Sequence, residues 1–412
     1  MPLPKLNMIL SGDVVRCLNR RRHAHGLARH PQVIHHRGCE HTQIRFTRGG
    51  DPAYHPAIID RAGACAAMTF DRLLMILGAP RSGTSWLGKI FDSHPDVLYR
   101  HEPDLALWDR RLPFLIPQDQ VHAYTAIARD YVNRLLSTPT LKSSGQLPSF
   151  PKSYHAPPLE LLRTAMIHGL RWVEAASGAR RMRSFPIPDL ISPAHRSSLR
   201  IVVKSISARG RARVFMEALP GMRAIFLLRH PCGQVASTLR GTRQGKFNTG
   251  VFVRDVLATP GASKYGLTDQ RLSAASDVEQ LAWHWATMNE LAAEAMADPN
   301  RARIVRYEDI CRGPLEHARE LFAFSGLDWS QQTEAFIERS THYSGTEKYY
   351  SVFRNAAAAA ERWRTELSNA DQRVIMNVVA QTSLARLWDD ASGHGGIVGL
   401  SPLCAEPNTA RV

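Results

Sequence analysis

Short apolar runs punctuate the chain at 72–78, 97–100, 199–204, 222–228 and 302–306, and each predicts a strand. Between them, apolar residues recur at helical spacing and predict helices over 84–93, 119–137, 158–176, 209–218, 231–240, 276–297, 313–325 and 368–387. Strands that are apolar nearly throughout, such as Ile201-Val202-Val203 and Ala224-Ile225-Phe226-Leu227-Leu228, are the mark of a sheet buried on both faces. Alternating with helices, they predict an α/β fold: a parallel sheet flanked by helices on both faces. Two long spans, 105–195 and 241–275, offer no obvious strand. They are expected to be helical insertions forming a substrate cap, because insertions at the carboxyl ends of strands build ligand sites. Trp283, Trp285 and Met288 recur at near-helical spacing and are expected in the core, and His284 among them receives no metal role.

The two ends break the pattern. Residues 1–67 hold Arg20-Arg21-Arg22, seven histidines and three of the six cysteines with little apolar periodicity, so they read as a disordered basic extension. Met68, just before the first strand, is then the expected true start. The stretch 391–412 is rich in glycine, proline and small residues and reads as a flexible tail, leaving one catalytic-sized domain over 68–390. A net charge of +15 favours an anionic ligand or partner. Nucleic acid is not expected, since zinc-finger spacing, an RNP-like strand and a long basic helix are all missing. Six scattered cysteines without a CxxC pair fit a reducing compartment. No apolar run nears the roughly 18–20 residues of a membrane span, and Leu6 to Leu10, interrupted by Asn7, is a poor signal-peptide core. The expectation is a soluble cytoplasmic protein.

Candidate chemistry begins at Gly78-Ala79-Pro80-Arg81-Ser82-Gly83-Thr84-Ser85, between the first strand and the helix opening at Trp86. Strand, glycine-bounded loop and helix start together cradle phosphates, because loop N–H groups and the positive helix end face one anion. The spacing Gly78-x4-Gly83 is that of a P-loop, but Thr84 stands where the nucleoside-triphosphate motif needs lysine. Arg81 supplies a charged planar fork, and the hydroxyls of Thr84 and Ser85 sit at the helix start. A second strand-to-helix junction carries Arg229-His230-Pro231, with Ser237 about two turns into the helix, where Arg229 and Ser237 could converge on another phosphate.

Together the two stretches resemble the sulfotransferases that use 3'-phosphoadenylyl sulfate (PAPS), closer to the bacterial and carbohydrate-type members than to the cytosolic phenol and steroid enzymes. The family loop G-x-P-R-S/T-G-T-S/T-x-L is matched from Gly78 to Leu87, and its R-x-P-x5-S stretch by Arg229, Pro231 and Ser237. Val305-Arg306-Tyr307-Glu308-Asp309-Ile310 is similar to the family's R-Y-E-D-L strand end, and Arg362-Trp363-Arg364 adds a further likeness. The resemblance spans about 70–390 and leaves 105–195 unmatched, so the acceptor is not carried over.

The resemblance implies that Pro80, Arg81, Ser82, Gly83, Thr84, Ser85 and Trp86 hold the 5'-phosphosulfate and that Arg229 and Ser237 hold the 3'-phosphate. It implies sulfonate transfer from PAPS as co-substrate to a hydroxyl or amine of a small-molecule, carbohydrate or lipid acceptor, with no metal. Glu102, in His101-Glu102-Pro103, looks like the acidic residue of the carbohydrate branch and is the first candidate for general base. His101, whose imidazole ordinarily titrates near neutrality, is the rival. Lys204, ending a buried strand, matches a lysine that reaches the transferring sulfonate in relatives, although a snorkelling surface lysine is the alternative. For Arg362, Trp363 and Arg364, contact with the nucleotide competes with a core tryptophan flanked by surface arginines. Glu308 and Asp309 are expected to hold local structure at a strand end. Two other readings stay open: a non-catalytic protein binding 3',5'-ADP or PAPS, and a nucleotide kinase, which Thr84 disfavours. The sequence leaves oligomeric state unread.

Overall fold

The computed structural model describes residues 70–245, 250–341 and 355–388. The expected extension at 1–67 and tail at 391–412 lie outside them. Five strands, β1 (Leu73–Gly78), β2 (Val97–His101), β3 (Arg200–Ser205), β4 (Arg223–Leu228) and β5 (Ala302–Arg306), form one parallel sheet ordered β2-β3-β1-β4-β5. Alternation along β1 sends Leu73, Met75 and Leu77 into one apolar layer with Val203 and Phe226. Leu74 and Ile76 enter the other with Val202 and Ile225. Both faces are therefore covered, which is why the runs at 73–77, 201–203 and 224–228 hold no polar position.

Helix α1 (Thr84–Asp92) follows the β1 loop directly. In the 105–195 insertion, α2 (Leu141–Ser144) and α3 (Pro157–Ser177) are the elements that matter for the site. Helix α4 (Pro231–Arg243) opens with proline after β4, α5 (Asp277–Glu294) buries Trp283 and Trp285, and α6 (Tyr307–Arg312) leaves β5 at once. Further along come α7 (Ala356–Glu361) and α8 (Trp363–Glu366). Glu308 and Asp309 thus open a helix, not the end of a strand as the sequence led us to expect. Asp309 accepts from Arg306 at 2.7 Å and Arg312 at 3.0 Å, an i,i+3 pairing on each side. The expected helix over 119–137 begins as a 3₁₀ turn, Gln118–Tyr124, and the one over 368–387 stops at Val379. In the 241–275 span the chain forms Gly250–Leu257, Pro260–Lys264 and Asp269–Ala274. Lys89 of α1, buried, pins the larger insertion by donating to Gln146 O at 2.6 Å and Pro148 O at 2.8 Å.

Candidate active site

Because all five strands run parallel, the β1 loop, the ends of β2 and β3 and the turn after β4 open on one edge of the sheet. Register sets His101 beside Lys204 across β2 and β3, and Gly78 beside Leu227 across β1 and β4.

The loop needs its glycines. A Cβ on Gly78 would lie 2.6 Å from Thr84 Cγ2 and 2.8 Å from Leu227 O. One on Gly83, where φ is +94°, would lie 2.3 Å from the Tyr307 ring. Arg81 is also left-handed, at φ 73°, a conformation that costs a non-glycine residue about 1 kcal/mol or more and gathers at functional sites. Ser82 is fully buried and its hydroxyl donates to Ala79 O at 2.7 Å, so it closes the turn from inside. Gly83 caps α1 without any side-chain bond, and the first N–H groups of the helix have no helical acceptor. Thr84 is buried against Gly78, while Ser85 Oγ accepts from Lys204 Nζ at 3.3 Å. Trp86, grouped with the loop in the sequence, is a core residue: its indole donates to Ser340 Oγ at 3.0 Å and its ring meets Tyr307 edge-on. Pro80 borders a cavity of about 60 Å³ lined by Gln234, Thr238, Phe252, His284 and Trp285.

The second motif folds onto the first. Arg81 Nε donates to Ser237 Oγ at 3.0 Å, joining residues 156 apart in sequence. Arg229, buried, donates from one Nη to Arg81 O at 3.0 Å and from the other to Ala359 O at 2.9 Å. Its guanidinium lies 5.2 Å from the Tyr307 ring centre, and its Nε, also buried, has no hydrogen-bond partner among the described residues. A buried cationic donor without a partner fits an anion.

The third group stands at the ends of β2 and β3. Glu102, left-handed at φ 47°, fastens its backbone N–H to Lys204 O at 2.7 Å, and its carboxylate accepts directly from Lys204 Nζ. Lys142 of α2 lies 3.5 Å from the same carboxylate and His101 Nε2 lies 3.8 Å away. Burial disfavours the charged carboxylate, but Lys204, then His101 and Lys142, outweigh it and hold Glu102 down to about 2. Lys204 is buried rather than snorkelling, and burial lowers its pKa against the pull of Glu102. His101 does not titrate near neutrality as its residue type predicts. Burial, reinforced by Lys204, pushes it down to about 3, and Tyr99 OH sits 3.0 Å from its Nδ1. Arg100, a possible partner for Glu102, turns instead to Asp189 at 2.5 Å.

Arg362, Trp363 and Arg364 divide as core and surface. Trp363 is buried and stacks on His230 with ring centres 4.3 Å apart, so its face is taken. Arg364 is exposed, pairs with Glu361 and lies over the Trp363 ring at 4.5 Å. Arg362 is half-buried between α7 and α8. Sequence reasoning missed Lys142, which sits in the unmatched insertion with no motif around it. It also missed Tyr307, whose ring faces both Gly83 and Arg229. The signal for Tyr307 was present in the Arg306-Tyr307-Glu308-Asp309 match, but was read as a strand end.

Carbohydrate sulfotransferase 5 of Mus musculus is 24% identical over 326 residues, spanning 74% of this chain and 78% of its own. Carbohydrate sulfotransferase 6 of Homo sapiens is 26% identical over 346 residues, again 74% of this chain and 78% of its own. Among solved structures, the sulfotransferase domain from the Synechococcus PCC 7002 olefin synthase is similar at a TM-score of 0.37 and 18% identity, covering 75% of this chain and 93% of that one. Residues 74–331 match the sulfotransferase family, and with more than half its length so matched the chain belongs to that family.

Proposed function

We propose that this protein transfers a sulfonate group from PAPS to a hydroxyl of a carbohydrate acceptor. The observation that carries the reading is the meeting of the two anion-binding motifs: Arg81 bonds Ser237, and Arg229 bonds the backbone of Arg81. A ligand with phosphate at both its 5' and 3' positions suits two strand-to-helix junctions that meet in this way. The open N–H groups of α1 and the Arg81 fork would hold the 5'-phosphosulfate, and Arg229 and Ser237 the 3'-phosphate. When bound, PAPS supplies an activated S–O bond whose leaving group is a phosphate. What the chain contributes is position and charge. Lys204, Arg81 and the loop amides offset negative charge on the transferring group, and Glu102 accepts the proton of the acceptor. A carboxylate held at about 2 by Lys204 is a weak base. It grows more basic when the ammonium turns to an anion. The carbohydrate class rests on the names of the relatives. A cytoplasmic setting rests on the scattered, unpaired cysteine spacing.

Two measurements on the full chain test this. Saturating 3',5'-ADP without metal is expected to raise the melting temperature, by linkage worth about 2.7 kcal/mol at a hundred times Kd. Labelled sulfonate should pass from PAPS to a glycan acceptor, and Glu102→Gln should cut turnover roughly 10²–10⁴-fold. No shift with 3',5'-ADP would reject the nucleotide site. A shift with no turnover on any acceptor would leave a nucleotide-binding protein without catalysis.

A further inference from the structure

Helix α3 packs Met166, Ile167 and Leu170 on a small apolar cluster with Leu141 and Ile187, yet it carries a second apolar face outward and charges inward. A surface helix ordinarily turns its charges outward and its apolar stripe to the core. Here Arg171 points inward, donating to Gly145 O at 2.9 Å and Leu141 O at 2.8 Å and pairing with Glu174 at 2.7 Å. Arg163 likewise donates to Ser144 O at 3.1 Å, and Glu160 meets His155. The outward face carries Leu161, Ala165, His168 and Trp172 in one row and Leu162, Gly169 and Val173 in the next, with His168 the one polar side chain among them. Leu161 and Trp172 are each 73% exposed and Leu162 is 64% exposed. Just past the helix stand Arg180, Arg181 and Arg183, all exposed, and then Phe185, also exposed.

We infer that α3 docks this protein on an anionic lipid surface, with Leu161, Leu162 and Trp172 entering the acyl boundary and Arg180 and Arg181 meeting the headgroups. Charge selects lipid over a second copy. Two chains of net charge +15 repel each other, whereas an anionic bilayer attracts both the chain and the basic turn beside the patch. Tryptophan on the apolar face suits the water–lipid boundary. The helix lies on the bilayer and does not cross it, because its other face is fastened to protein by Arg163, Arg171 and the buried Ile167. No helix among the described residues is long and apolar enough to span. The inference does not depend on sulfonate transfer.

Vesicle flotation of the full chain tests it, with phosphatidylcholine alone and with added phosphatidylglycerol. Wild type should float with the anionic vesicles, less with the neutral ones, and less as salt rises. Leu161→Glu/Trp172→Glu should lower the bound-to-free ratio about ten-fold or more, and Arg180→Ser/Arg181→Ser should lower it several-fold on anionic vesicles only. Unchanged melting temperatures confirm that both variants fold, as expected for exposed positions. The proposal is overturned if wild type does not float, or if both variants float as wild type does, which would put lipid contact elsewhere. It is equally overturned if sedimentation velocity finds a dimer that Leu161→Glu/Trp172→Glu dissolves while vesicles are ignored.

Discussion

At Glu308 the two carboxylate oxygens have unequal company. Oε1 accepts the His230 N–H at 3.0 Å, while Oε2 is buried without a hydrogen-bond partner among the described residues. Burial lifts this carboxyl from 4.5 to about 7, against the pull of Arg229 and the His230 N–H. A folded-state value raised in this way gives stability that is complete below the unfolded value and is lost as pH rises through about 7. Glu308→Gln keeps an acceptor for His230 and removes the charge. Its melting temperature should therefore gain on wild type from about pH 4.5 to about pH 7, by a few degrees at the upper end, and hold that gain above it. A difference that stays constant across that range would show that ionisation is not the cause. Glu308 also marks what single residues disclose. Its residue type and the Arg306-Tyr307-Glu308-Asp309 match flagged a structural role, but His230, 78 residues away, is the partner that shapes its chemistry. His101 carries the same lesson in reverse: an imidazole's intrinsic value says little once burial and Lys204 act on it.

Elements were legible in proportion to the length and purity of their pattern. All five strands fall within one residue of their predicted ends, because each carries a short apolar run that enters the layers on both faces. The helices α6, α7 and α8 escaped notice, being too short to show a period. The β1 loop was legible for a different reason. Its glycines answer to local geometry that the sequence can spell, as at Gly83, where both the positive φ and the Tyr307 ring exclude a side chain. Gly83→Ala should cost roughly 1–3 kcal/mol of stability through the backbone alone. It should also weaken 3',5'-ADP affinity at least about ten-fold, since α1 can no longer present its first N–H groups in place. Calorimetric titration on the folded variant would measure this, and wild-type affinity would show that the loop is not the anion cradle.

Taken whole, the described residues hold two apolar layers, one on each face of the sheet, and both are built from residues that follow Met68. A chain begun at Met68 is therefore expected to keep its cooperative melting transition and its 3',5'-ADP shift. Loss of both on removal would make the basic segment part of the fold. The candidate site was half legible on this scale. Arg81, Arg229 and Ser237 announced themselves because each rides on a strand-to-helix junction with its own spacing. Lys142 did not, since only the path of the insertion, pinned by Lys89, brings it to Glu102.

The contact between Lys204 and Glu102 has a consequence in time. If Lys204 turns its ammonium from Glu102 to the sulfonate in the transfer proposed above, the base is engaged until the donor arrives. An acceptor that reaches the site early finds no free base. Addition should therefore be ordered, donor first. A dead-end acceptor analogue is expected to inhibit uncompetitively against PAPS, while 3',5'-ADP inhibits competitively. A noncompetitive pattern from the analogue would mean that the acceptor enters without waiting, and that the ion pair in the resting enzyme does not set the sequence of events.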